Sequence, residues 1–154
     1  ASGVEVFKVK TLEECLYTPI KVTFVNKFGA FQDLIFFKKS IDKTSVKGEE
    51  FKTAVFNQAT LTYKTYQHQR TQFMVQGTDS ITMNTGYISE DYNQVIEQLM
   101  LSEQVWATFI TDTEEVRPLV PKTKSFTHKT QLNDKLIDYT IEFDIANNKI
   151  NNIR

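Results

Sequence analysis

The sequence predicts a mainly β (α+β) domain: an antiparallel β-sandwich or partial barrel, one flanking α-helix near residues 89–101, and a projecting β-hairpin arm. Three observations carry this. Most of the chain alternates apolar and polar residues with the two-residue period of strands. One stretch, 89–101, switches to helical spacing. Twelve Phe and six Tyr in 154 residues favour pleated, half-buried surfaces. Helices do not alternate with strands, which argues against a doubly wound α/β fold.

The helix is read from Tyr92, Val95, Ile96, Leu99 and Met100, which form one apolar stripe. Glu90, Asn93, Glu97 and Gln98 fall on the other side. Ser89 suits the N-cap, and Glu90 and Asp91 complement the positive end of the helix dipole. Tyr92 stands where a capping box needs Glu or Gln. A helix this short is not stable alone and must dock its stripe on a sheet. Gly86 supplies the bend that precedes it. Val105, Ala107 and Phe109 alternate with Trp106, Thr108 and Ile110, a strand covered on both faces, with Trp106 placed to pack beneath the helix.

The remaining strands follow in order. Residues 4–10 alternate as a short strand. Ile20, Val22 and Phe24 share one face of a half-buried strand, and a turn around Gly29 leads into the segment that begins at Phe31. Leu34-Ile35-Phe36-Phe37 is apolar without alternation, which suggests two-sided burial or presentation to a neighbouring subunit. Residues 40–58 are more polar. Residues 59–77 are rich in Thr, Gln and Tyr, with no acidic residue and little apolar content before Phe73. Such a strand projects from the body as one arm of a hairpin spanning about 41–76, serving in assembly or lying as a solvated edge. Pro118 and Pro121 place residues 116–122 on an edge strand or an extended connection. Lys122, Lys124, His128 and Lys129 make the next stretch basic. A turn follows at Leu132-Asn133-Asp134. The clearest alternation is 135–146, with Ile137, Tyr139, Ile141, Phe143 and Ile145 on one face and Asp138, Thr140, Glu142 and Asp144 on the other. Residues 147–154 read as a domain end or linker, and the whole as one domain.

Composition excludes more than it assigns. Hydrophobic residues make up 40% and charged residues 24%, ordinary for a globular protein. A net charge of −1 gives no electrostatic case for nucleic acid. No apolar run approaches the roughly 20 residues that span a bilayer, and no signal-peptide pattern opens the chain. The first residue is Ala, consistent with processing or excision from a longer polypeptide. Cys15 is the only cysteine, a small buried residue rather than a disulfide partner or catalytic thiol. His68 and His128 have no His, Cys or carboxylate at ligand spacing. Asp138, Glu142 and Asp144 share a strand face, where charge accompanies solvation. The glycines are isolated and form no phosphate loop. The residues therefore predict no enzyme, no metal, no cofactor and no small-molecule substrate.

Four segments carry a resemblance: PIKVTFVNKFGAFQDLIFFKKS, DSITMNTGYISEDYNQVIEQLMLSEQVW, PLVPKTKSFTHKTQLND and KLIDYTIEFDIANNKINNIR. Together they resemble proteins of tailed bacteriophages, particularly phages of marine and Bacteroidetes-type bacteria, over residues 12–154. The resemblance implies a virion structural protein assembled in the bacterial cytoplasm. The order of strands, lone helix and closing strands is similar to the tail-tube, tail-hub and distal-tail module. In that module, sheets join between subunits of a ring and hairpin arms complete the contacts. The expected partners are further copies of the chain and other virion proteins, with Phe36, Phe37, Tyr63, Tyr66, Arg70 and Phe73 as subunit contacts. A carbohydrate- or receptor-binding β-sandwich, with Trp106 and other aromatics as its platform, is the alternative.

Overall fold

The computed structural model describes residues 16–57, 59–110, 114–130 and 137–150. The expected strand at 4–10, Cys15, and the turn at 132–134 lie outside the described residues. Nine strands appear among them: β1 (Ile20–Val25), β2 (Phe31–Phe36), β3 (Ile41–Lys52), β4 (Phe56–Asn57), β5 (Thr62–Tyr63), β6 (Arg70–Asn84), β7 (Val105–Phe109), β8 (Glu115–Pro121) and β9 (Thr140–Ile145). One helix, α1 (Asn93–Leu101), joins β6 to β7 after a 3-10 turn at Glu90–Tyr92. Seven strands form one open antiparallel sheet in the order β2-β1-β7-β8-β9-β6-β3, and β4 pairs with β5.

The sheet curls into a partial barrel. In a flat sheet β2 and β9, four strand positions apart, would stand about 19 Å from each other. Yet the rings of Phe36 on β2 and Phe143 on β9 meet edge to face, with centroids 6.1 Å apart. The seam lies where β2 passes into β3. Residues 31–36 pair with β1, and after a break the chain pairs with β6 from Ile41↔Thr82 onward. At that break the Phe37 ring lies against Gly86, and the Lys38 N–H donates to the Asn84 carbonyl (3.4 Å).

Inward residues fill the barrel with a single core of Val22, Phe24, Leu34, Phe36, Ile81, Met83, Ala107, Leu119, Ile141 and Phe143, among others. Ile96 and Leu99 of α1 enter this core, with Val95 and Met100 beside it. The stripe is the expected one, except that Tyr92 stays largely outside. Asn93 departs from the expectation. It is buried rather than solvent-facing: its side-chain amide donates to the Lys129 carbonyl (2.8 Å), and its carbonyl oxygen accepts from the Tyr139 hydroxyl. The same phenol oxygen accepts from the Lys129 N–H (2.9 Å). This satisfied network lets a polar residue sit under the basic 122–130 segment. Ser89 holds the N-cap position of the 3-10 turn with extended backbone, but its side chain makes no capping bond.

β1 and β2 form the expected hairpin. Gly29 takes φ +78°, and the Asn26 side chain accepts from the amides of Phe28 and Ala30 (both 3.0 Å). The 34–37 run alternates after all, since β2 faces core on one side only: Leu34 and Phe36 are buried and Ile35 is exposed.

β8 corrects a second expectation, because it is central despite its prolines. Pro118 pairs opposite Trp106, and its carbonyl accepts from the Ala146 N–H just past the end of β9 (3.0 Å). Its missing N–H therefore costs one rung beyond that ladder. The missing N–H of Pro121 points toward β7 at a level before Val105, where that strand has not begun. Proline is disfavoured at ladder positions that donate; Pro121 sits where no facing strand accepts, and Pro118 forfeits a single bond at the end of its ladder. Trp106 is the third correction: with Val105 and Ala107 facing inward, it lies on the outer face against Phe31, centroids 6.0 Å apart, and not beneath the helix.

Candidate assembly interface

The arm is built by two strands that outrun the sheet. β6 pairs with β9 only over Ser80–Asn84, while its pairing with β3 continues to Lys52↔Arg70. The seven residue steps from Gly77 to Arg70 extend roughly 23 Å beyond the barrel. One further rung, Thr53 N–H to the Gln69 carbonyl (2.9 Å), and the small β4–β5 hairpin continue toward the tip. Thr, Gln and Tyr give this stretch strand propensity without core-facing surface, so it leaves the body as the sequence predicts. A two-stranded hairpin alone is marginal in water; this one is anchored because β6 runs unbroken into the barrel.

The arm is kinked and then two-faced. The register slips between Lys47 and Glu49, opposite Met74 and Val75, and Met74 takes φ +52°. Such bulges re-aim side chains. Beyond the slip, Phe51 and Phe73 meet edge to face across strands on one face, centroids 5.7 Å apart. Glu50, Lys52, Arg70 and Gln72 occupy the other, with Arg70 3.9 Å from Glu50. Phe56, Leu61, Tyr63 and Tyr66 are exposed toward the tip. Among the described residues both edges carry unpaired backbone: β3 borders the sheet along its length, and β6 has no neighbour but β3 between Arg70 and Gln76. β2 is the other border among them.

A short strap closes the arm's root. Gly77 and Lys149 exchange both backbone hydrogen bonds (2.8 and 2.7 Å). The Lys149 ammonium pairs with Asp79, whose carboxylate also accepts from the Thr44 hydroxyl (2.6 Å). These donors hold the Asp79 carboxyl below its ordinary range. Nearby, Arg117 forks onto Glu115 (2.7 and 2.9 Å) and lies over the Phe109 ring.

Of the six expected contact residues, Tyr63, Tyr66, Arg70 and Phe73 lie on the arm and are exposed, Tyr66 to 73%. Phe37 is half-buried at the barrel seam. Phe36 is corrected: it is 1% exposed in the core, because β2 alternates and position 36 falls on the inward register. Sequence reasoning missed Phe51 and Phe56, which join the arm through cross-strand pairing, Phe51 on β3 with β6 and Phe56 on β4 opposite Tyr63 of β5.

Several ionisable side chains outside the arm are engaged in surface pairs. Lys122 bridges Glu142 (2.7 Å) and Asp144 (3.7 Å), and this ammonium depresses the Glu142 carboxyl. The Asn84 amide, then Lys129, lower that of Asp138. His128 meets Phe126 edge to face and lies 3.9 Å from Glu97, while His68 is exposed. Among the described residues no three His, Cys, Asp or Glu gather as metal ligands, and no helix is long and apolar enough to cross a membrane. Comparison with protein-family models, curated proteins and solved structures finds no match to the chain.

Proposed function

We propose that this chain is a non-enzymatic structural protein of a tailed-phage particle, in the manner of a tail-tube, hub or distal-tail module, and that it self-associates through its arm and open strand edges. The observation that carries the assembly part is the arm: a hairpin with an exposed Phe51–Phe73 face, strand edges unpaired among the described residues and aromatic residues at its tip. Exposed edges and aromatic patches of this kind are pairing templates. The virion part rests on the sequence resemblance. Removing residues 60–72 is expected to abolish assembly and leave the barrel folded, read by light scattering and by the unfolding transition. A well-formed ring that survives this deletion overturns the assignment.

A second reading has its own observation. Phe31 and Trp106 form an aromatic pair on the outer face of the barrel, with the Thr23 hydroxyl bonded to Asp33 nearby (2.6 Å). Aromatic platforms with adjacent polar groups suit sugar rings, so a carbohydrate-binding role is the alternative. A glycan array would register it as hits lost on Trp106→Ala or Tyr63→Ala; an array without hits removes it.

A further inference from the structure

Two regions of opposite charge lie at the two ends of one strand. β6 runs from Arg70 at the arm to Asn84, which leads into the helix. At roughly 3.3 Å per residue its ends stand about 45 Å apart. Residues 59–77, one strand of the arm with its tip, contain Lys64 and Arg70 and no acidic residue; the facing β3 residues add Lys47 and Lys52 against Glu49 and Glu50, so the arm stays net basic, with Arg70 3.9 Å from Glu50. Residues 89–104, the helix and its flanks, contain Glu90, Asp91, Glu97 and Glu103 and no Lys or Arg. The basic side chains that border the helix are mostly engaged: Lys122 with Glu142 and Asp144, Lys129 with Asp138, His128 with Glu97. Lys27 and Lys124 also face this end, which still remains net acidic.

The helix end has a shape to match its charge. A cleft of about 470 Å³ separates the β1–β2 turn from the C-terminal turn of α1 and is lined by Lys27, Gln98, Leu101, Glu103 and Gln104. The Gln98 side chain ties the two walls by accepting from the Lys27 N–H (3.3 Å). Leu101 is 76% exposed at the cleft, and Phe28 on the adjoining turn is 81% exposed. The outer arm offers the complement: Leu61, Tyr63 and Tyr66 exposed beside Lys64 and Arg70. Aromatic anchors ringed by complementary charge are the usual composition of a specific protein contact.

We propose that the arm of one copy docks on the helix-end cleft of a second copy, its tyrosines against Leu101 and Phe28 and its Lys64 and Arg70 facing Glu97 and Glu103. The occupant is another copy and not the chain's own arm, because β6 is continuous strand from Arg70 to Asn84 and holds the two regions apart. The contact is head-to-tail, with different surfaces on each side, so it propagates into a ring or filament and does not stop at a two-fold dimer. It rests on the assembly reading above and names the surface the arm engages.

Charge reversal tests it. Lys64→Glu with Arg70→Glu makes an arm variant; Glu97→Lys with Glu103→Lys makes a cleft variant. All four positions are exposed, and the unfolding midpoint of each variant checks that the body is intact. Sedimentation velocity at low salt is expected to show each variant associating at least about tenfold more weakly than the unaltered chain. An equimolar mixture of the two is expected to recover association, since each arm then meets a cleft of opposite sign. Unaltered chains that associate, with the cleft variant matching them or the mixture failing to recover, overturn the arm-to-cleft contact alone. Unaltered chains that stay monomeric at every concentration overturn the assembly reading and this contact with it.

Discussion

Replacing Gly86 with Ala strikes the seam that makes a curled sheet into a partial barrel. Gly86 has φ +68°, and a Cβ there would lie 2.3 Å from Cζ and 2.4 Å from Cε2 of Phe37. Two costs follow. A left-handed conformation costs a residue with a Cβ roughly 1–2 kcal/mol. Overpacking costs typically about 1–3 kcal/mol, and here the lower part of that range applies, because the half-buried Phe37 ring can swing outward and give up the seam. The expected loss is about 2–4 kcal/mol, a large share of a total stability that for such domains is roughly 5–15 kcal/mol. Urea unfolding followed by the fluorescence of Trp106 reads it. The double variant Gly86→Ala/Phe37→Ala separates the two causes: with the ring gone only the backbone cost remains, so the pair should be less destabilised than the sum of its singles by about 1 kcal/mol or more. Strict additivity, or a Gly86→Ala variant within about 0.5 kcal/mol of the parent, would refute the seam.

Two further perturbations test the parts around it. Tyr139→Phe strips the Lys129 N–H of its acceptor and the Asn93 carbonyl of its donor inside a buried network, and should cost about 1–3 kcal/mol in the same unfolding experiment; a neutral substitution would mean that the 122–130 segment is not held by this network. The strap at the arm's root should be pH-sensitive. Because Lys149 and Thr44 depress the Asp79 carboxyl in the folded chain, their stabilisation is fully present above the ordinary aspartate range and is lost as pH falls through the depressed value. Amide-exchange protection at Gly77 and Lys149 should therefore drop in acid, and protection that persists there, or is untouched by Asp79→Asn, would contradict it.

How much of this was legible in the sequence depends on whether a residue's environment is local. The alternation of 137–145 needs only one wet face and one dry face, and the β1–β2 hairpin announces itself through Gly29 and the side chain of Asn26. The helix stripe and the projecting arm were legible for the same reason: periodicity in the first, a long polar run of strand formers in the second. What failed depended on partners far along the chain. Proline at 118 and 121 argued for an edge, but whether a missing N–H matters depends on which neighbour that position faces and where the neighbour ends. Asn93 belonged to the polar side of the helix until Lys129 and Tyr139 supplied its bonds from 36 and 46 residues away. Phe36 and Phe37 sat in an apolar run that hides its own alternation, so the inward residue could not be told from the seam residue. The candidate surface divides in the same way. The exposure of Tyr63, Tyr66, Arg70 and Phe73 was legible from composition, whereas Phe51 joins them on the arm only through the cross-strand pairing of β3 with β6.

The measurement that bears most directly on the assembly account is the mass of the chain in solution by light scattering, over a wide concentration range, with and without residues 60–72. The account predicts a discrete oligomer, or reversible growth with concentration, for the intact chain, and a folded monomer once the arm's outer part is removed. An intact chain that remains monomeric at high concentration, or a deleted chain that assembles as the intact one does, would contradict it.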